Sequence, residues 1–368
     1  MHRLQLHYTL SRESSPALVR NPLIDLLQAV SAQGSISAAA RALQLSYRHV
    51  WGELKRWENQ LGDELVVWEK GQSARLSDFG NKLLWAERQA QARLAPQIEA
   101  LRAELERSFA VAFDNAAQVL TLYASHDDAL GALREYALQL EPAPLHLDIR
   151  FTGSVDAIRA LNEGRCVMAG FHTREAPGPA TLSARVYKPL LQPGKHKIIG
   201  FARRIQGLMV APGNPLQIRS LADLPARQAR FVNRPLGTGT RVLLDEMLAQ
   251  QGLTPDQLPG FERTEPSHTA VAHAVASGRA DAGLGIELAA RRQGLDFVPL
   301  LQESYHLVCL KAALTLPAVS ALLSLLRHEH WQSQLQATPG YQPHLSGQVR
   351  AMSQVFPWWR FRGRKPGL

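Results

Sequence analysis

The sequence predicts an α/β protein with an N-terminal helical head, a long helix behind it and a larger domain of alternating strands and helices. Residues 34–51, GSISAAARALQLSYRHVW, are typical of two short helices joined by a tight turn. Residues 78–109 keep a helical spacing of apolar side chains. From Gln118 onward, short apolar runs alternate with helical ones, as in α/β domains.

Length and composition limit the remaining possibilities. A chain of 368 residues is long enough for two or three domains, and 45% hydrophobic residues suffice for packed cores. It has no apolar run of the roughly 18 residues that a membrane span needs, and its first residues, MHRLQLHYTLSRESS, lack an apolar signal core. We therefore expect a cytoplasmic protein, with Cys166 and Cys309 as reduced core residues.

The helix pair has an inward and an outward face. Ser35 and Ser46 are each placed to cap a helix. At 100° per residue the second helix has an apolar stripe of Val50, Leu54, Trp57 and Leu61, and an outward stripe of Arg48, Gly52, Lys55, Arg56 and Asn59. Glycine costs about 1 kcal/mol relative to alanine inside a helix, so an outward Gly52 indicates the close approach of a partner. A DNA backbone fits this position.

A hairpin follows the second helix. Residues 64–77, ELVVWEKGQSARLS, contain two short strand-like runs around residues 70–73. Such a hairpin beside a helix pair forms a wing, and Lys70 and Arg75 would there face phosphates.

The net charge of +9 gives little support to DNA binding by itself. Residues 1–110 hold 14 Lys and Arg against 12 Asp and Glu, so most of the excess lies elsewhere. Arg360, Arg362, Arg364 and Lys365 belong to a basic tail, 351–368, that we expect to be a solvated end. The DNA argument therefore depends on where individual cations lie.

Residues 22–84 resemble the winged helix-turn-helix of LysR-type regulators and, more closely, of molybdate-responsive bacterial regulators. The tract from Gly34 to Trp51 carries most of the resemblance, while the wing, KGQSAR, is shorter than usual. The resemblance implies that residues after the Ser46 cap approach the major groove of double-stranded DNA. The candidate DNA-contacting residues are Ser46, Tyr47, Arg48, His49, Gly52, Lys55, Arg56, Lys70 and Arg75.

A helical segment connects the head to the α/β domain. Its apolar residues follow alternating four- and three-residue steps: Leu94, Ile98, Leu101, Leu105 and Phe109. This seam is long enough to pair two subunits, and a two-fold dimer would read two half-sites one DNA turn apart. The alternative is a helix folded onto its own domain. Pro96 is expected to start a new helix or to kink this one.

The α/β region ends several strands in small or hydroxyl residues just before a helix. The predicted strands are QVLTLYAS, LHLDIRFTGS, CVMAGFH, KIIGFARR, ARFVNRP and DAGLGI, in a largely parallel sheet. Ser125, Ser154 and the tract 238–240 follow three of them. Helix N-termini carry unpaired amides and partial positive charge, so several of them together make an anion site.

Residues 204–308 resemble the periplasmic-binding-protein-like, molybdate-binding-like domain that is fused behind a winged helix in bacterial regulators. The tracts QGLMVAPGNP, FVNRPLGTGTRVLLDEML, SHTAVAHAVASGRADAGLGIELAA and LDFVPLLQESYHLV carry this resemblance. It implies a two-lobed type II periplasmic-binding-protein-like domain that closes on a small ligand. The expected domains are a winged helix-turn-helix at 1–84, a linker helix at 85–112, and an effector domain at 115–350 with lobe one at 115–204 and 303–350 and lobe two at 205–302.

The candidate ligand contacts are Ser125, His126, Ser154, His172, Thr238, Gly239, Thr240, Arg241, His268 and Tyr305. Simpler roles stay open for them. The hydroxyls could cap helices, Arg241 and Arg234 could pair with Asp245 or Glu246, and the histidines and Tyr305 could be core residues. The resemblance implies molybdate or tungstate as effector. A small organic acid is the alternative, because arginines commonly bind carboxylates.

Enzymatic patterns are missing from the sequence. It has no G-x-S-x-G elbow, no complete dinucleotide fingerprint and no phosphate loop. It has no C-x-x-C pair, and His328 and His330 are a weak metal pair. We therefore expect no enzyme, no cofactor and no protein-bound metal. Two other classes remain: a transport-type anion-binding protein and a catalytic domain below a DNA-binding head.

Overall fold

The computed structural model describes residues 22–68, 74–113, 118–139, 145–174 and 181–356. The chain divides into two compact units, Met1–Gln91 and Ala92–Leu368.

The first unit is a three-helix head with a hairpin. Its elements are α1 (Pro22–Gln33), α2 (Ile36–Ala42), α3 (Tyr47–Leu61), β1 (Val66–Val67), β2 (Arg75–Leu76) and the start of α4 (Asp78–Phe113). Both predicted caps are confirmed: the Ser35 Oγ accepts from the Ala38 amide at 3.1 Å, and the Ser46 Oγ accepts from the His49 amide at 3.1 Å. The buried faces of the helices, including Val50 and Leu54, form one apolar core.

The predicted hairpin is present. Strands β1 and β2 pair antiparallel, with Val66 opposite Leu76 and Val67 opposite Arg75. The carboxylate of Glu58, buried on α3, accepts from the Leu65 amide at 2.9 Å and so joins α3 to the hairpin. Lys70 falls outside the described residues.

Helix α4 runs through Pro96, so no new helix begins there, and the other expectation, a kink at Pro96, stays a prediction. The ring of Pro96 is buried, and this packing offsets part of the hydrogen-bond loss that a proline causes inside a helix. Four predicted seam residues are largely exposed: Leu94 40%, Leu101 55%, Leu105 38% and Phe109 39%. Other residues of α4 contact its own domain, so pairing of two subunits through the seam stays a prediction. No helix of the described residues is both long and apolar enough to cross a membrane.

The second unit is built on one nine-stranded sheet. Its strands are β3 (Gln118–Ala124), β4 (Leu145–Phe151), β5 (Met168–Arg174), β6 (His196–Val210), β7 (Phe231–Val232), β8 (Ala282–Ile286), β9 (Asp296–Leu310), β10 (Tyr341–Pro343) and β11 (Val349–Arg350). The main order is β4-β3-β5-β9-β6-β8-β7, and β10 and β11 also pair with β6.

Ten helices surround this sheet in the described residues. After α4 they are α5 (Asp128–Ala137), α6 (Ser154–Asn162), α7 (Leu182–Tyr187), α8 (Asp223–Ala226), α9 (Gly239–Gln250), α10 (His268–Ala276), α11 (Glu287–Arg292), α12 (Pro317–Arg327), α13 (Glu329–Gln336) and α14 (Met352–Val355). Several of these helices follow a strand closely, among them α5, α6, α9 and α11.

The expectation of a largely parallel sheet was wrong. β3 is parallel to β4 and β5, and β7 to β8, but β9 pairs antiparallel with β5 and β6, and β8, β10 and β11 pair antiparallel with β6. The reason is that β6 and β9, of 15 residues each, run the length of the sheet in opposite directions. The predicted lobe boundaries fall inside these two strands, where Arg204 lies opposite Glu303.

Two further expectations concern single residues. Cys166 and Cys309 are buried and free, as predicted. Residues 352–356, assigned to the tail, are not a solvated end, because Met352 and Phe356 are buried in the same cluster as Phe171. The four tail cations from Arg360 to Lys365 fall outside the described residues.

Candidate functional site

Buried polar side chains from several strands and helices lie together in the second unit. We call them the buried polar cluster: Ser125, Ser154, His172, Gln206, Arg234, Thr240, His268, Glu303 and Tyr305. Each is at most 6% exposed. Burying so many polar groups is costly unless they bind one another or a ligand.

Two hydroxyls form one wall of the cluster. The Oγ atoms of Ser125 and Ser154 are 3.2 Å apart. Neither serine caps a helix: Asp127 caps α5, and Gly153 holds the N-cap position of α6. The simple capping role therefore fails for these two serines, whereas Thr238 does cap α9 through its Oγ1.

The N-termini of α6 and α9 touch at this wall. The Val155 amide donates to the carbonyl of Gly237 at 3.5 Å. A Cβ at Gly153 would lie 2.7 Å from the same carbonyl oxygen, and a Cβ at Gly239 would lie 2.9 Å from Nδ1 of His172. Glycine is therefore needed at both positions for this close approach. Two helix N-termini converge here, as an anion site requires.

The long strands supply the floor. The rings of His172 and Tyr305 pack with centroids 3.9 Å apart. The Nε2 of Gln206 donates to Thr240 Oγ1 at 3.1 Å and to Glu303 Oε1 at 2.9 Å. These contacts join β5, β6, β9 and the first turn of α9.

Arg204 lies beside the cluster with its charge satisfied. Its buried guanidinium donates to the carboxylates of Asp127 and Glu303, and Tyr341 donates to Asp127 at 2.7 Å. Burial alone would lower the pKa of Arg204, but the two carboxylates raise it well above its ordinary value. This group is a fixed structural cation.

Arg234 is different. It is 2% exposed, and its Nε and Nη1 atoms have no hydrogen-bond partner among the described residues. The carboxylates proposed for it are engaged elsewhere: Asp245 accepts from Arg241 at 2.9 Å, and Glu246 accepts from Ser183 at 2.8 Å. Burial, and then the charge of Arg204, lowers the pKa of Arg234 to about 9, so it still carries its proton at neutral pH. A buried cation in this condition is destabilising until an anion pairs with it.

Two neutral histidines lie near this cation. Both ring nitrogens of His172 and Nδ1 of His268 lack hydrogen-bond partners in the described part of the chain. Burial is the main cause that lowers the pKa of each far below its ordinary value, followed by the nearby arginines. Each neutral imidazole offers one donor and one acceptor. Guanidinium, imidazole and hydroxyl donors together can bind a small anion.

Three of the predicted ligand contacts make other interactions and are not part of the buried polar cluster. The Arg241 guanidinium pairs with Asp245 and lies 4.3 Å from the ring centre of Phe261, so its simple ion-pair role is the one observed. His126 packs on Phe151 and approaches Glu99 of α4 at 3.4 Å. Thr238 is the α9 cap.

Sequence reasoning missed Gln206 and Glu303 and considered Arg234 only as an ion-pair partner. The available signals were polar residues inside the long strands β6 and β9 and an arginine two residues after the short strand β7. Neither signal says that a side chain lacks a partner, because that depends on where distant carboxylates lie.

In the first unit the predicted outward stripe of α3 is exposed. Ser46, Tyr47, Arg48, His49, Gly52 and Arg56 are all exposed. Lys55 is only half-buried and pairs with Glu58 at 2.6 Å, with its Nζ 4.8 Å from the ring centre of Trp51. Arg56 pairs with Glu53. A Cβ at Gly52 would meet nothing within 4 Å, so packing within the unit does not require glycine there.

Family models match both units. Residues 23–81 match the model described as bacterial regulatory helix-turn-helix protein, lysR family, and residues 136–327 match the PBP superfamily domain. The second match covers more than half of the chain. The chain therefore belongs to the PBP superfamily, and its residues 23–81 form a lysR-type helix-turn-helix domain.

Two relatives are similar in sequence. The uncharacterized protein YvgK of Bacillus subtilis (strain 168) is 33% identical over 222 residues, covering 60% of this chain and 70% of that protein. An uncharacterized protein in the ferredoxin 2Fe-2S gene 5' region of Clostridium pasteurianum is 32% identical over 109 residues, covering 29% of this chain and 96% of that protein.

Solved structures show a weaker likeness. Full-length BenM is 15% identical, with a TM-score of 0.42, and the match covers 83% of this chain and 94% of that one. CbnR, a LysR family transcriptional regulator, is 17% identical, with a TM-score of 0.40, and the match covers 83% of this chain and 99% of that one.

Proposed function

We propose that this regulator binds double-stranded DNA as a homodimer through α3, and that a small anion held in the buried polar cluster changes that binding. The observation that carries the ligand proposal is Arg234, a buried cation with unpaired nitrogens beside partnerless neutral histidines. Such a group is stabilised by an anion of matching size.

The exposed face of α3 supports the DNA proposal. Tyr47, Arg48 and His49 form its first turn, and their side chains are exposed. Gly52 leaves the surface flat one turn further on. Because Lys55 and Arg56 are paired within the unit, Arg48 is the strongest candidate for a base or phosphate contact. The wing residues Lys70 and Arg75 stay a prediction.

Molybdate or tungstate is the first candidate ligand. The hydroxyls of Ser125 and Ser154 and the amides at the start of α6 and α9 are neutral donors that suit a tetrahedral oxyanion. A small organic acid is the second candidate, because the free guanidinium nitrogens of Arg234 suit a carboxylate.

Two other classes fit the chain less well. A transport-type binding protein has no use for the lysR-type helix-turn-helix. A catalytic domain has no catalytic motif in the sequence to support it.

Helix α4 contacts the segment of the predicted lobe two that lies directly before His268 of the cluster. The Arg93 Nε and Nη2 donate to the two oxygens of Glu265 at 2.8 and 2.6 Å. Ser267, which caps α10, donates from Oγ to the Ala92 carbonyl at 3.3 Å. His268, the first residue of α10, belongs to the cluster.

The same helix contacts lobe one. Its Glu99 carboxylate lies 3.4 Å from Nε2 of His126, and its Arg102 donates to Glu135 at 2.6 Å. A ligand that favours the closed arrangement of the lobes would therefore also favour one placement of α4. Helix α4 carries the exposed apolar seam and begins at Asp78, directly after the hairpin. A change in the placement of α4 would therefore alter both the proposed dimer interface and the DNA-binding head.

A thermal-shift screen tests the ligand proposal. Purified protein is heated with molybdate, tungstate, sulfate, phosphate and small carboxylates, and a true ligand raises the melting temperature. Arg234→Gln should abolish that shift, whereas the matched control Arg241→Gln, which removes an arginine already paired with Asp245, should keep it. An equal shift in both variants would remove Arg234 from the site, and the absence of any shift across the series would contradict the anion proposal.

A further inference from the structure

A cavity of about 270 Å³ lies in the same unit and shares strands with the buried polar cluster. Its walls come from β5, β6, β9 and the segment 344–355. The cations that line it are Arg174, Arg203 and Arg350, with His306 and His344 beside them.

The cavity and the buried polar cluster use mostly different side chains of the same strands. Successive side chains of a strand point to opposite faces. On β9, Ser304 and His306 line the cavity, and Tyr305 belongs to both sites, because it lines the cavity and its ring packs on His172 of the cluster. On β5, Thr173 is 2.9 Å from His306 Nε2, on the side away from His172. The cavity and the cluster therefore share Tyr305 but differ in their other side chains, and the inference does not depend on the proposed function of the cluster.

The charge of the lining is of one sign. No Asp or Glu is among the described residues that line the cavity. Arg174 is shared with Glu246 at 3.3 Å and Gln250 at 2.6 Å, so it belongs to the rim. Burial, helped by His344 and Arg350, lowers the pKa of His306 to about 3, so His306 stays neutral and the arginines supply the charge.

Apolar side chains line the same cavity, and one of them, Ile198 of β6, lies directly beside Arg350 of β11. The apolar residues are Ile198, Leu345 and Val355. The volume is close to the lower end of the range for small-molecule sites, roughly 300 to 1,000 Å³. A ligand here would need a charged end and a short hydrocarbon end.

We infer that this cavity binds a small organic anion, with a carboxylate or phosphate head at Arg350 and a short aliphatic body against Ile198, Leu345 and Val355. The hydroxyls of Thr173 and Ser304 line the same cavity and add neutral donors for the head.

Titration calorimetry on the full chain tests the inference with butyrate, propyl phosphate and inorganic phosphate as probes. Butyrate or propyl phosphate should bind at least tenfold more tightly than inorganic phosphate, because only these two fill the apolar wall. The tighter of the two identifies the preferred head group. Arg350→Ala should weaken that binding at least tenfold, and the exposed substitution Gln354→Glu, which adds a negative charge at the cavity, should do the same without touching the core.

Two controls locate the probe. Arg159→Ala removes an exposed arginine of α6 that pairs with Asp156, and Arg234→Gln alters the buried polar cluster. Both should bind the probe within twofold of the wild type. Loss of binding in Arg234→Gln with retention in Arg350→Ala would assign the probe to the cluster and overturn the inference. The inference would also be overturned if none of the three probes bound, or if inorganic phosphate bound as tightly as butyrate and propyl phosphate.

Discussion

Substituting Gly153 by alanine tests whether the contact between α6 and the 237–239 loop belongs to the ligand-bound form. Gly153 has φ −66° and ψ 150°, which alanine adopts without strain, so the backbone itself imposes no cost. The added Cβ would lie 2.7 Å from the Gly237 oxygen and 3.0 Å from its carbonyl carbon. Ordinary van der Waals contact begins near 3.4 Å, so the two loops must separate by about 0.7 Å.

The expected loss of ligand affinity follows from the free-energy cost of overpacking. Forcing extra atoms into a packed contact typically costs about 1–3 kcal/mol. In the proposed closing movement of the lobes this cost applies only to the closed form, because opening would separate Gly153 from Gly237. Ligand affinity should therefore fall by about 5- to 150-fold. Calorimetric titration with the anion that stabilises the wild type measures this directly.

Gly131 provides the matched control. It lies in the interior of α5, where a Cβ would meet nothing within 4 Å. Gly131→Ala should raise the free energy of unfolding by about 1 kcal/mol and leave the ligand affinity unchanged. If Gly153→Ala binds the ligand within twofold of the wild type, the observed contact is not part of the bound state and the reasoning fails.

Three more predictions concern DNA, coupling and pH. Gly52→Ala should stabilise α3 by about 1 kcal/mol in urea unfolding yet weaken DNA binding in gel shifts; unchanged DNA binding would show that no backbone approaches there. Arg93→Ala, which breaks the pair with Glu265, should leave ligand affinity within about threefold but reduce the ligand's effect on DNA affinity; an undiminished effect would exclude α4 as the link. Because burial lowers the pKa of His172, His268 and His306 in the folded state, the unfolded chain binds more protons below pH 6.5, and stability falls as pH falls. Between pH 6.5 and 5.5 each histidine should cost about 1 kcal/mol in urea unfolding, and a flat profile would contradict their neutral burial.

Local signals in the sequence predicted local structure well. Ser35 and Ser46 cap their helices as expected, because a cap depends on a few consecutive residues. Strands β3, β4, β5 and β8 were also predicted, since their apolar runs are short and bounded by polar residues. The hairpin and the exposed stripe of α3 follow from the same kind of short-range pattern.

Features that depend on distant residues were not predictable. The antiparallel pairing of β6 with β9 joins segments about 100 residues apart, and neither run specifies its partner's direction. The helix continues through Pro96 because tertiary packing outweighs the local preference. Arg234 is proposed as a site residue because the carboxylates of Asp245 and Glu246 have other partners, a fact of side-chain geometry.

The central claim is that an anion in the buried polar cluster changes DNA binding. Fluorescence anisotropy with a duplex selected in vitro by the purified protein tests it most directly, with the stabilising anion at saturation or left out. The account predicts at least a fivefold change in the Kd for DNA in the wild type and none in Arg234→Gln. The same wild-type Kd with and without the anion would contradict it.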